Sequence, residues 1–267
     1  MRYYKLIYLI LGVILINTSY GQVLHSENFN VILDTTKVIK GSFVPSFRYR
    51  NVKQKFFEVE NTADISFRVK RHAFTIANKL EYSRFGDEDI LSGGFVYLEH
   101  RKPTEQEKLV IESYGLILWQ EIRGLRIKYS MGANVRYRII YTPQQGLFAG
   151  IGPSYEFERW TYSGTADTTL IPSDPKPIEV IKLRANTYLS YKRKLSDQFT
   201  LDVSGYFQPS LGRPFMNYRL ASSSEITYFI TKNIGLSLLY QNTYDPRPVV
   251  PIDVFFHDLQ LGLNLSF

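Results

Sequence analysis

The sequence predicts an all-β fold: a single antiparallel transmembrane β-barrel of about twelve strands, following a cleaved signal peptide. Three observations carry this. Apolar and polar residues alternate with a period of two along most of the chain. The connections between the alternating segments are long on one side and short on the other. The last segment, HDLQLGLNLSF, alternates strictly and stops on an aromatic, Phe267. Successive side chains on a strand point to opposite faces, so each segment has one apolar and one polar flank.

The chain opens with MRYYKLIYLILGVILINTSYGQ, in which Arg2 and Lys5 precede an apolar run from Leu6 to Ile16. That run is too short and wrongly flanked for a spanning helix, and Ser19-Tyr20-Gly21 is a small-x-small cleavage pattern. Residues 1–21 are therefore expected to be an export signal cut after Gly21. There is no cysteine, so a lipoprotein anchor and disulfide staples are both excluded, and stability must come from a closed, well-paired architecture. Residues 22–38 alternate over NFNVILD. A thirteenth spanning strand would break the even count of single-chain barrels, so this stretch reads as a periplasmic lead-in or a segment tucked into the barrel mouth. The barrel is expected over residues 39–267.

Strands are expected at 39–51, 54–69, 71–84, 88–101, 107–121, 123–140, 147–162, 178–193, 197–208, 216–230, 233–244 and 253–267. In the second, Val59, Ala63, Ile65, Phe67 and Val69 oppose Glu58, Glu60, Asp64, Ser66 and Arg68. Around 89–101 and 107–120 the alternation is muddled and no facing is assigned. The sixth is the clearest. Across LRIKYSMGANVRYRI the odd positions from Leu125 to Ile139 are apolar or aromatic, and the even ones include Arg126, Lys128, Asn134, Arg136 and Arg138. That run exceeds the ~5–6 residues of a usual soluble strand and the ~9–11 needed to cross a bilayer at a tilt. The eighth opposes Ile181, Leu183 and Leu189 to Lys182, Arg184 and Asn186; the ninth opposes Leu201 and Val203 to Asp202 and Ser204. In the tenth, Leu220, Ile226 and Tyr228 oppose Arg219, Glu225 and Thr227, and in the eleventh Leu236 and Leu238 oppose Gly235 and Ser237.

The connections test this reading independently. Those after the second, eighth and tenth strands are tight (KR, KLSD, TKN), and those after the fourth and sixth are modest. The long ones, TYSGTADTTLIPSDPKP, QPSLGRPFMN and YDPRPVVPID, follow the seventh, ninth and eleventh strands. All three share one side and both termini fall on the other, as in outer-membrane barrels with short periplasmic turns and longer extracellular loops. A soluble secreted β-sandwich, the alternative, has no reason to sort its loops so. Closure also removes exposed edges and lets strands satisfy their backbone groups in lipid.

The cost of a charge in lipid decides the facing. An Arg or Lys toward lipid costs ~2–4 kcal/mol at the midplane, so the charged parity faces the lumen. Tyr129, Tyr137, Tyr191, Tyr228, Tyr240 and Phe267 then suit the aromatic girdles. The lumen is expected to hold a charge network of Asp64, Arg126, Lys128, Arg136, Arg138, Glu156, Glu158, Lys182, Arg184, Asp202, Arg219 and Glu225. Its mixed signs favour an ion-pair filling over a cationic stripe for a small anionic solute, because selective pores segregate charge. Gln260, Gly262, Leu263, Leu265 and Phe267 form a terminal pattern expected to be read by the barrel-assembly machinery, after delivery by periplasmic chaperones. Outer-membrane lipids are the expected surroundings.

The formal charge of +7 falls to +5 when Arg2 and Lys5 leave with the signal. The cations form no run and the aromatics sit mainly on the opposite parity, so nucleic acid is excluded as a partner.

Over MGANVRYRIIYTPQQGLFAGIGPSYEFERW and YRLASSSEITYFITKNIGLSLLYQNTYD the chain resembles a known family. It is similar to the domain-of-unknown-function family typified by the salt-induced outer-membrane protein of Gram-negative bacteria. The resemblance runs from about residue 40 to Phe267 and rests on strand order, on Gly150, Gly152 and Tyr155, and on the closing strand. It departs from that family at GSFVPSFRYRN, where members often carry a small-polar Ser-Gly-Asn-Thr stretch. The resemblance implies an outer-membrane barrel and carries no activity, cofactor or ligand.

Catalysis of the lipid-modifying kind, by a phospholipase or acyltransferase, would need a His near a nucleophile and an orienting acid. The four histidines do not offer this: His25 is in the lead-in, His72 in a tight turn, His100 near a strand end and His257 on the lipid-facing parity. No spaced His pair suggests a metal site and no cofactor is expected. Gly150 and Gly152 precede no helix, so they read as sites of sheet bending or of contact with bulky neighbours rather than a phosphate loop. The expected role is membrane-structural, or a small-solute pore or binding barrel without catalysis.

Overall fold

The computed structural model describes residues 38–51, 55–105, 108–212 and 217–266. The expected signal (1–21) and nearly all of the lead-in (22–38) lie outside the described residues, as does Phe267. Twelve strands form: β1 (Ile39–Asn51), β2 (Lys55–Val69), β3 (His72–Phe85), β4 (Glu88–Pro103), β5 (Leu109–Gln120), β6 (Leu125–Tyr141), β7 (Gln145–Trp160), β8 (Ile178–Lys194), β9 (Phe199–Pro209), β10 (Tyr218–Phe229), β11 (Ile234–Tyr244) and β12 (Phe255–Ser266). Every boundary lies within two residues of the expectation.

Each strand pairs antiparallel with its sequence neighbours, and β1 pairs with β12 to close one barrel. The single closed layer overturns the sandwich alternative. The β1–β2 ladder is unbroken from Ile39↔Phe67 to Asn51↔Lys55, and at the β1–β12 seam Ser42↔Ser266 and Phe43↔Leu265 are in register among the described residues.

Burial is inverted relative to a water-soluble domain. Met131, Ile181 and Leu261 are 60%, 64% and 74% exposed on the outer wall, while Arg184 and Arg219 are fully buried inside. The lumen is charged along much of its length, from Arg136 in the short-turn half of β6 to Arg219 at the long-loop end of β10. Beside these charges the long-loop half holds an apolar core: Phe95, Tyr97, Leu116, Leu118, Leu125 and Trp160 point inward and pack together.

The β11–β12 connection, residues 245–254, turns into this core rather than out into solvent. Val250 is buried in the cluster, with Val249 and Ile252 packed against it. Pro246, Pro248 and Pro251 fix backbone angles along this strap, and its ends are joined where the Asp245 N–H donates to the Val254 carbonyl at 2.8 Å. From the β5–β6 connection the buried Arg123 reaches over the Phe256 ring of β12, 3.2 Å from its centroid. Together these segments cover the long-loop mouth.

Close approach explains the glycines of β7. A Cβ at Gly150 would stand 2.2 Å from the Tyr188 ring, and one at Gly152 would stand 1.8 Å from the Ala133 carbonyl oxygen. Backbone cannot yield as a side chain can, so Gly152→Ala is expected to cost about 3 kcal/mol, the upper end for overpacking. Gly205→Ala, with nothing within 4 Å, is expected to be near neutral. Denaturant titration of the detergent-folded barrel would check the pair.

Candidate functional site: the charged lumen

The alternation of β6, β7, β8 and β10 brings their cations and carboxylates onto one inward face at one height. Glu156 and Glu158 are the centre. Lys128 Nζ donates to Glu156 Oε1 at 2.8 Å and lies 3.4 Å from Glu158 Oε1. Lys182 Nζ reaches Glu158 Oε2 at 2.9 Å, and Arg184 Nε lies 3.4 Å from Glu156 Oε2. Arg219 joins the group from three strands away: Nη1 to Glu156 at 3.4 Å, Nη2 to Glu158 at 3.2 Å and Nε to Asp245 Oδ2 at 3.2 Å. Trp160 Nε1 donates to Glu158 Oε2 at 3.0 Å and ties the charged layer to the apolar core above it.

A second layer lies toward the short turns. Arg136 Nη1 donates to Glu112 Oε1 at 3.1 Å, Arg101 Nε lies 3.0 Å from Glu112 Oε1, and the Tyr188 hydroxyl donates to Glu112 Oε2 at 2.5 Å. Arg136 also sits over the Phe148 ring, 3.9 Å from its centroid. Elsewhere on the inner wall, Lys192 pairs with Asp202, Ser42 with Asp64, and Lys79 with both Glu60 and Glu81. Glu225 is the register partner of Asp202.

Of the expected network, Lys128, Arg136, Glu156, Glu158, Lys182, Arg184 and Arg219 meet in the two layers, and Asp64, Asp202 and Glu225 line the inner wall. Arg126 does not belong. The β6–β7 register shifts between Leu125 and Ile127, which turns Leu125 inward and leaves Arg126 exposed. Strict alternation carried through a bulge gives the wrong face. Arg138 borders a second shift and stacks over Tyr141 at the short-turn rim, 4.5 Å from its centroid. In β12, Gln260 donates to Glu60 at 2.6 Å, Gly262 faces Val44, Leu263 is exposed on the outer wall, and Leu265 is the register partner of Phe43 in the seam.

Glu99, Arg101, Glu112 and Asp245 were not foreseen. Asp245 sits in a connection, where no periodicity marks facing. Glu99, Arg101 and Glu112 lie on β4 and β5, where inward Tyr97 and Leu116 stand beside outward Val96, Leu98 and Ile117, so both parities read as apolar. Of the histidines, His72 Nδ1 and His100 Nε2 are 2.7 Å apart and stack with Phe74 on the outer wall. His257 lies on the outer wall of β12 beside Phe255. His25 is outside the described residues.

Asp245 latches the strap to the barrel wall. Burial alone would raise its carboxyl, but the Arg219 guanidinium outweighs this and holds it below the usual carboxylate range. A carboxylate held low in the folded state contributes stability that is fully present above its unfolded value of ~3.9 and lost as pH falls through the folded value. With Trp119 replaced by Phe, Trp160 emission is therefore expected to stay constant from neutral pH down to about 5 and to red-shift only below ~3.9. An Asp245→Asn variant should lack the part of that step owed to the latch.

A family model described as a protein of unknown function, DUF481, matches residues 59–265. The chain belongs to this family. The match agrees with the resemblance drawn from β6, β7, β10 and β11, and it brings no activity with it. No curated protein matches the chain significantly. Among solved structures, the translocator domain of the autotransporter NalP from Neisseria meningitidis is 11% identical over 88% of this chain and 90% of that one, with a TM-score of 0.48. The NanC porin is 10% identical over 86% and 98%, with a TM-score of 0.41. The outer membrane channel DcaP of Acinetobacter baumannii is 9% identical over 86% and 95%, with a TM-score of 0.35. Likenesses this remote say nothing of this family member's role.

Proposed function

We propose that the protein is an exported outer-membrane β-barrel with a lumen closed at rest, and that it works as a membrane-structural barrel without catalysis. The observation that supports this reading is the inverted burial: an outer wall of exposed large apolar side chains around an interior of buried ion pairs. Hydrocarbon is the surroundings in which that wall is stable, and a closed barrel is the way a sheet meets hydrocarbon without orphaned backbone groups. Short turns on the side of the termini support a periplasmic side for both ends.

One observation favours a second reading, a gated small-solute barrel. The strap is a removable closure, held by the Asp245–Arg219 ion pair and the apolar packing of Val250. Both readings expect the purified barrel to partition into detergent and to shift in gel mobility on heating. In planar bilayers the intact barrel is expected to be silent. Removing residues 246–252 is expected to yield discrete conductance steps if the strap is the gate, and none if the ion-pair layers alone seal the lumen. Steady conductance from the intact barrel would overturn the closed-lumen reading.

A further inference from the structure

The two rims of the barrel differ in charge. The long-loop rim balances its exposed charges: Arg84, Arg159 and Lys176 pair with Asp87 at 3.5 Å, Glu179 at 3.4 Å and Asp174 at 3.3 Å, and the exposed Glu121, Asp167 and Asp253 offset Lys55, Arg126 and Arg247. The short-turn rim does not. Lys70, Arg71, Lys102, Lys108, Arg193 and Lys232 are all exposed there, and none has an ion-pair partner among the described residues. Lys194, paired with Asp197 at 3.1 Å, is the exception, and Glu105 is the other exposed acid described on this rim.

The arrangement of these cations is as informative as their sign. They occupy four of the five short turns or their flanks (β2–β3, β4–β5, β8–β9 and β10–β11), so they encircle the barrel instead of forming one patch. On β4 and β8 a cation stands on the outward parity two residues beyond an outward aromatic: His100 then Lys102, Tyr191 then Arg193. His100 belongs to the outer-wall stack with Phe74, at 4.9 Å, and His72, at 5.0 Å. Aromatic rings settle at the headgroup level, and long cationic side chains beyond them extend to the phosphates. A protein partner docks on one side of a rim; a lipid leaflet surrounds it.

We infer that the short-turn rim is a collar that binds anionic phospholipid headgroups of the periplasmic leaflet. This rests on the membrane placement proposed above and adds the lipid class and the rim that reads it. The attraction is electrostatic and exposed, so it weakens with salt.

The test reconstitutes the folded barrel in phosphatidylcholine vesicles and compares the association of spin-labelled phosphatidylglycerol with that of spin-labelled phosphatidylcholine. The expected result is a preference of about fivefold for phosphatidylglycerol, the ratio that one cation beside an anionic surface is worth. High salt should reduce it. It should vanish in a variant carrying Lys70→Gln, Arg71→Gln, Lys102→Gln and Arg193→Gln, and persist in a control with Arg159→Gln and Lys176→Gln at the other rim. Equal association of the two lipids, or a preference that survives the fourfold variant, would overturn the collar. A barrel that never enters vesicles would instead overturn the membrane placement, which separates the two failures.

Discussion

Replacing Arg219 with alanine is expected to destabilise the folded barrel by about 3–5 kcal/mol, the cost of leaving buried charge uncompensated. Arg219 is fully buried and bonds Glu156, Glu158 and Asp245 together, so its removal takes a shared cation from three carboxylates and leaves a void among them. Lys128, Lys182 and Arg184 remain, but they already serve Glu156 and Glu158; among the described residues Asp245 keeps the hydrogen bond from the backbone N–H of Arg247 and loses its ion pair. Two readouts should move together. The denaturant midpoint should fall, and Trp160 emission should shift to the red, because Trp160 joins Glu158 to the core that holds the strap. Pairing the change with Glu158→Gln should recover part of the loss, since one stranded charge goes with it. A loss below ~1 kcal/mol, the range of exposed ion pairs, would mean that water already fills the lumen and the layers are not sealed.

How much of this was legible in the chain depended on what each face had to meet. Strands such as β6, β8 and β10 carry lipid on one side and charge on the other, so the polar period marks both facing and boundary. β4 and β5 border the apolar core of the long-loop half, where Tyr97, Leu116 and Leu118 point inward, and there the contrast between faces disappears. Glu99, Arg101 and Glu112 were hidden by that loss of contrast. Arg126 failed for another reason: a register shift is a local backbone event with no compositional mark, and it inverts every inference from parity beyond it. Asp245 and Val250 lie in a connection whose prolines announce stiffness but not direction. That the strap folds inward is set by the cup it fills, a property of six residues from β4, β5, β6 and β7 that no single segment displays.

Placing an arginine at Met131 is expected to cost about 2–4 kcal/mol in lipid, because Met131 lies near the middle of β6 on the outer wall and is 60% exposed. The same side chain at Lys128, three residues earlier but inward, should cost far less: an arginine there can still serve Glu156 and Glu158. The contrast between the two sites isolates what touches the outer wall. Were water the surroundings, an exposed Met131→Arg would fall within the ±0.5 kcal/mol of ordinary surface changes, while Lys128→Arg would carry the larger penalty of repacking a buried pair. The ranking of the two variants therefore reverses with the solvent. Measured by denaturant titration in lipid vesicles, a Met131→Arg cost no larger than that of Lys128→Arg would remove hydrocarbon from the outer wall, and with it the physical reason for a barrel whose charges are inside.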